Sequence, residues 1–255
     1  MSALLELKDL TIRFGGVTAV NNVSFKIEEG ELMGLIGPNG AGKTTIFNLI
    51  TGVYAATAGE VIYEGRRIDK FKTYQIVPLG IARTFQNLRL FGGSSVLENV
   101  MTAAQTFHKY SFAEAVTHLG RWKKREADTR RESMELLERV GLAELAEQKA
   151  GTLPYGLQRR LEIARALSLR PKLLLLDEPA AGMNPEEVIE LNELISGIHK
   201  DFNLTILLIE HHMDVVMNIC SHVVCINFGA KIADGSAKDV QSNHEVLAAY
   251  LGEEE

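Results

Sequence analysis

Cysteine is nearly absent from this chain. Cys220 and Cys225 are the only two in 255 residues. They supply neither a disulfide framework nor a zinc-ligand spacing, which favours a reducing compartment and two small, buried, apolar side chains. Long apolar runs are missing as well. None approaches the ~18 residues of a membrane-spanning helix, so any membrane role is expected to be peripheral. The first residues, from Met1 to Asp9, break into alternation at once and are expected not to be a signal peptide. Positive charge is not in excess: 27 Lys and Arg stand against 33 Asp and Glu, a net charge of −6. That leaves no global basic field to recruit nucleic acid. Internal repeats and low-complexity segments are also lacking; the tail is simply acidic.

What is present is a glycine-rich loop around which the chain is organised. Gly37, Pro38, Asn39, Gly40, Ala41, Gly42, Lys43, Thr44 and Thr45 match the pattern of glycine, four residues, then glycine, lysine and serine or threonine. An apolar stretch from Glu31 precedes it and reads as a buried strand; the residues from Ile46 to Gly52 read as a helix closed by glycine. A phosphate chain is bulky and anionic. Gly37, Gly40 and Gly42 put no side chain between backbone N–H groups and such a ligand. The helix N-terminus adds roughly half a positive charge. Lys43 can reach the β- and γ-phosphates, and the Thr44 hydroxyl can ligate Mg²⁺.

Before the loop, alternation through Leu5, Leu7, Leu10, Ile12 and Phe14, and again through Val20, Val23, Phe25 and Ile27, predicts short antiparallel strands. Phe14 sits on a turn, where it can stack on a purine or close a core. After the loop, 59–65 and 81–85 read as strands, the second ending at Gln86. A glutamine there can ligate Mg²⁺ or orient water, and it can equally be a solvated loop residue. From 95 to 148 the chain turns helical and charged, with a basic run at 121–125. That run reads as a solvated helix face, and the block as a helical insertion in an α/β core.

A helix is predicted over 157–169, ended by Pro171. Four leucines then lead to Asp177 and Glu178, the pattern of a strand buried on both faces with two acids at its C-terminal end. Ligands sit at that end in open α/β sheets. Adjacent acids there call for something cationic or proton-bearing. Asp177 is expected to hold Mg²⁺ through water, and Glu178 to polarise an attacking water. A helix at 186–200 and a strand at 204–209 follow, the strand ending in Glu210, His211 and His212. One histidine of the two can donate to a γ-phosphate. The remainder reads as strands at 223–228 and 231–233, then a short final helix to Tyr250.

This ordered set resembles the ATP-binding subunits of ABC transporters over almost the whole chain. The resemblance implies an α/β fold: a P-loop NTPase core with a mainly parallel sheet, an antiparallel β subdomain and an inserted helical subdomain. The expected divisions are 1–88 and 157–235 for the two parts of the core, 89–156 for the helical subdomain and 236–255 for a helical tail. It also implies that Phe14 stacks on adenine, that Gln86 is the Q-loop residue with a Mg²⁺ contact, that Asn184 lies in the D-loop, and that His211 is the switch histidine. Catalysis then falls to Glu178, His211 and Lys43, with Thr44, Gln86 and Asp177 at the metal. Leu153, Pro154, Tyr155, Gly156 and Leu157 fall where the family signature stands, facing a partner's ATP. Pro154 replaces its serine and Leu157 its glutamine.

Within the family the chain looks most like the branched-chain amino-acid importers. The motifs from Arg83 to Leu90, from Pro179 to Pro185 and from Ala249 to Gly252 are similar to that subgroup. The implied protein is an ATPase using ATP and Mg²⁺. It pairs as a homodimer or with a related ATPase subunit, and it works on two integral membrane permease subunits and indirectly with a solute-binding protein. Its implied place is the cytoplasmic face of the cell membrane, with no nucleic-acid partner. The alternatives are the ATPase of a lipid-precursor exporter and a soluble ABC ATPase acting on nucleic acid or ribosomes.

Overall fold

The computed structural model describes residues 3–107, 121–211 and 213–251. Alternating apolar residues make two long strands at the start. β1 (Ala3–Phe14) and β2 (Val17–Glu28) pair antiparallel, with Leu7 opposite Phe25 and Leu10 opposite Val23. The chain next enters β3 (Leu32–Ile36), buried along its whole length, and passes through the glycine loop into α1 (Lys43–Ile50). β4 (Ala58–Tyr63) returns to pair with β1, and the short β5 (Arg66–Arg67) closes a four-stranded antiparallel sheet in the order β2-β1-β4-β5. α2 (Thr73–Ile76) then leads to β6 (Ile81–Arg83).

The helical block contributes α3 (Val96–Ala104), α4 (Arg121–Arg139) and α5 (Tyr155–Leu167). Ser95 caps α3 by accepting from the Glu98 N–H, and Glu98 accepts from the Ser95 N–H in return. The charge alternation of α4 resolves into ion pairs such as Arg131 with Asp128 at 3.1 Å. The leucine run becomes β7 (Leu173–Asp177), and α6 (Pro185–Asp201), β8 (Thr205–Ile209), α7 (Met213–Ile219), β9 (His222–Asn227), β10 (Ala230–Ser236), α8 (Ala237–Gln241) and α9 (His244–Leu251) follow. A six-stranded sheet runs β10-β9-β3-β8-β7-β6, parallel throughout except for β10. Its central strands are buried on both faces, as their unbroken apolar runs require. Cys220 and Cys225 are both free and buried in this part of the chain, and burial pushes the Cys225 thiol up to about 12.

Two compact units result: Met1–Arg83 with Lys172–Glu255, and Thr84–Pro171. These divisions differ from those expected at 88/89, 156/157 and 235/236. β6 stops at Arg83, where its ladder to β7 ends opposite Leu175, so 84–88 fall to the helical unit and the strand expected through Phe85 is shorter. α5 packs on α3 and α4, so the helix expected in the core belongs to the helical unit instead. The tail helices α8 and α9 pack on β10 and are part of the first unit. α5 also begins at Tyr155 rather than Leu157, because Pro154 occupies the N-cap with φ −53, close to the angle its ring imposes.

Candidate functional site

Parallel pairing brings the chemistry to one sheet edge. Leu35 on β3 lies opposite Ile209 on β8, and Ile209 lies opposite Asp177 on β7. The glycine loop, Glu210 with His211, and Asp177 with Glu178 therefore emerge side by side at the strand C-termini. Within the loop, Gly37 has φ +147, and a Cβ there would meet the Ile226 carbonyl oxygen at 2.0 Å. Gly42, at φ +107, would meet the Ala19 carbonyl oxygen at 2.6 Å. Only glycine fits either position. The Gly229 N–H donates to the Ala41 carbonyl at 2.9 Å, bracing the loop from behind. Pro38 and Ala41 are buried; Asn39, Gly40 and Thr44 are exposed. Lys43 is buried, and its ammonium donates to the Gly37 and Pro38 carbonyls at 2.5 and 2.9 Å. Thr44 and Thr45 form the first turn of α1.

Asp177 is 2% exposed and ion-paired to Arg83 at 2.6 Å. Arg83 also donates to Asn48 of α1 at 2.7 Å and lies over the Phe47 ring, so it fastens Asp177 to the helix that follows the loop. Glu178 adopts a left-handed backbone, φ +47. A non-glycine residue pays for that conformation in strain, on the order of 1 kcal/mol. The turn is held by the Glu178 N–H donating to Ile209 and the Ala180 N–H donating to the Glu210 carboxylate, each at 2.9 Å. His211 Nδ1 stands 3.9 Å from a Glu178 oxygen. That is an ion-pair distance and too long for a hydrogen bond. His212 lies outside the described residues. Asn184 caps α6, accepting from the Glu187 N–H at 3.0 Å.

Phe14 is not a core residue: it is 45% exposed at the end of β1. Its ring meets Tyr54 edge-on, with centroids 5.1 Å apart. The pair forms an exposed aromatic corner suited to a flat base. Hard oxygen donors suit Mg²⁺, which binds through one or two carboxylates, water and phosphate. The exposed Thr44 hydroxyl and the fixed Asp177 carboxylate fit that pattern. Among the described residues no group of three or more His, Cys, Asp or Glu is arranged as a metal centre.

The helical unit holds Gln86 and the signature segment. Gln86 is exposed just past Phe85. Arg159, 1% exposed on α5, donates to the Phe85 carbonyl at 2.6 Å and to the Gln86 carbonyl, and pairs with Glu162 at 2.8 Å. Glu162 accepts from the Phe85 N–H. Burial raises the Glu162 pKa, against the pull of Arg159. Leu153 is buried, whereas Pro154 and Tyr155 are exposed at the start of α5. Gln158 donates to the Leu153 carbonyl at 2.8 Å. Arg83, Tyr54, Glu210, Arg159 and Glu162 were missed as site residues in the sequence. The available signals were the place of Arg83 at the head of the 83–90 motif and of Glu210 at the strand end beside His211.

Comparison with known proteins finds relatives over nearly the whole chain. Residues 20–181 match the model of the ABC transporter family, and residues 230–255 that of the branched-chain amino acid ATP-binding cassette transporter. The chain is 45% identical to BraF of Pseudomonas aeruginosa, a high-affinity branched-chain amino acid transport ATP-binding protein, over 98% of both chains. It is 42% identical to the corresponding LivG of Escherichia coli, again over 98% of both. Among solved structures it is similar to the ADP conformation of MJ1267, an ATP-binding cassette of an ABC transporter. The TM-score there is 0.86 at 30% identity, covering 99% of this chain and 100% of that one.

Proposed function

The chain belongs to the ABC transporter family of ATP-binding proteins, and from that premise we propose that it is the ATP-hydrolysing subunit of an importer of branched-chain amino acids. The observation that carries the substrate class is the match of its C-terminal 26 residues, 230–255, to a model specific to that subgroup. In this reading Lys43 and the loop's backbone donors meet the β- and γ-phosphates, while Phe14 and Tyr54 receive the adenine. Thr44, Asp177 and Gln86 would hold Mg²⁺, which would neutralise charge on the phosphates. Glu178 polarises the attacking water and His211 contacts the γ-phosphate. The signature segment 153–157 and Asn184 serve the ATP shared with a second ATPase subunit.

Little covalent chemistry is asked of the protein. ATP drives the cycle because it favours the closed pair over the open one. The pair works on integral permease subunits from the cytoplasmic face, as a peripheral protein. No helix among the described residues is long and apolar enough to cross a membrane, which supports the assignment of the membrane path to partners. The test is uptake of labelled leucine, isoleucine and valine by cells carrying Lys43→Ala in place of the parental chain. Uptake of all three is expected to collapse. Parental uptake, with co-purification of RNA or of lipid-precursor exporters instead of amino-acid permeases, overturns the substrate class.

A further inference from the structure

The tail reaches the phosphate loop across the length of the chain. The Gly37 N–H donates to the Tyr250 hydroxyl at 2.9 Å, a contact between residues 213 apart in sequence. Gly37 is the first residue beyond β3, so its N–H points out of the ladder that holds Ile36 opposite Cys225. Its carbonyl accepts from Lys43 on the other side of the residue. The φ of +147 admits no side chain, because the Ile226 carbonyl lies against the place of a Cβ. Gly37 is therefore the most freely rotating residue type at the point where the loop leaves the sheet, and hydrogen bonds decide its orientation.

The helix that brings Tyr250 is itself anchored. α9 buries Val246, and α8 before it buries Val240. Beside the contact lies a cavity of about 460 Å³, lined in part by Asn39, Gly40, Phe228, Ala248 and Ala249. The tail and the middle of the loop are thus separated by open space where Tyr250 bridges them at Gly37. Lys43 has two sets of acceptors to serve, the loop carbonyls and phosphate oxygens.

We propose that Tyr250 is a positioning residue for ATP binding: its hydroxyl fixes the Gly37 peptide, and with it the direction of the loop's phosphate donors. This rests on the reading of the loop as the ATP phosphate site. The tail then sets how well the phosphate loop is pre-organised, which makes 244–251 part of the nucleotide machinery. Preorganised donors are valuable because they cost no rearrangement when the charge arrives.

The test is Tyr250→Phe in the full chain, which keeps the ring and removes the hydroxyl. One neutral hydrogen bond corresponds to about a fivefold change in an equilibrium constant. Dissociation constants for ATP, ADP and inorganic triphosphate are each expected to rise about fivefold. KM for ATP should rise with them, while kcat stays within about twofold and the melting temperature without nucleotide holds within about 2 °C. Parental affinity in the variant overturns the proposal. So does a lowered melting temperature with unchanged affinity, which would make the contact merely structural. A loss for ATP without a loss for triphosphate also overturns it, since the effect would then lie at the base. If the parental chain itself binds neither ATP nor triphosphate, the nucleotide reading falls first and this inference with it.

Discussion

Asp177 in the nucleotide unit and Glu162 in the helical unit are both buried carboxylates paired with an arginine, at 2.6 and 2.8 Å. Their arginines come from different places. Arg83 stands on the neighbouring strand, 94 residues from Asp177, and its second arm reaches α1. Arg159 stands one helical turn from Glu162, and its other donors go to the main chain at Phe85 and Gln86. The first pair orients a side chain where substrate is expected. The second uses nearly the same chemistry to pin a stretch of backbone. A buried ion pair is therefore no sign of catalysis by itself; what its spare hydrogen bonds hold is the informative part.

The sharpest way to separate the two units is to change one charged residue in each. Glu178→Gln should lower ATP hydrolysis at least ~100-fold while ATP still binds. Phosphate release and nucleotide titration measure the two effects. Turnover near the parental rate would remove Glu178 from the reaction. In the helical unit, Arg159→Met leaves Glu162 buried without its partner, a cost of about 3–5 kcal/mol. The drop should show in the denaturation midpoint, and the double variant with Glu162→Leu should recover most of it. A midpoint unchanged by Arg159→Met would erase the contrast.

A smaller effect divides the nucleotide unit itself. Phe14→Ala should weaken ATP binding by about 1–3 kcal/mol, the scale of one base-stacking aromatic. Inorganic triphosphate should bind as before, because the glycine loop is untouched. Equal losses for both ligands would point to damage in the strand end instead.

The smallest expected effect lies away from the nucleotide edge, at His222. Its Nδ1 faces Glu31 and its Nε2 faces Asp234, each at 2.7 Å. Burial works against the imidazolium, but the two carboxylates outweigh it, and the pKa lies above the ordinary value. Folding thus favours the charged form. Its contribution is complete below about pH 6.5 and is lost as pH rises through the higher folded value. Melting temperatures across roughly pH 6 to 9 should fall less steeply for His222→Gln than for the parental chain. Equal slopes would mean that another group governs that range.

Much of the fold was legible because it is written in local patterns. The four leucines before Asp177 read as a doubly buried strand, and β7 is one. The alternation from Leu5 to Ile27 read as antiparallel strands, and β1 and β2 pair that way. Asp177, Glu178 and His211 were legible from their places at strand ends, which parallel pairing brings together. Arg83 on Asp177, Arg159 on Phe85 and Tyr250 on Gly37 were not, since their partners lie 94, 74 and 213 residues away. Boundaries slipped for a different reason. β6 ends at Arg83 although β7 runs on to Asp177, since the Phe85 N–H and carbonyl are taken by Glu162 and Arg159, and α5 starts two residues before the expected Leu157 because Pro154 serves as its N-cap.

The order in which this chain leaves a ribosome bears on when it can work. The helical unit is complete once Pro171 has emerged. β3 must wait much longer, since its two flanking strands, β8 and β9, are among the last made. Gly30 finds its Thr205 partner 175 residues later, and Gly37 finds Tyr250 only at the tail. Contacts so far apart are slow to close, and unpaired strands of this apolar kind invite aggregation while they wait. The inserted helices can therefore fold while the phosphate loop is still unsupported. The part of the protein that handles nucleotide is the last to become native.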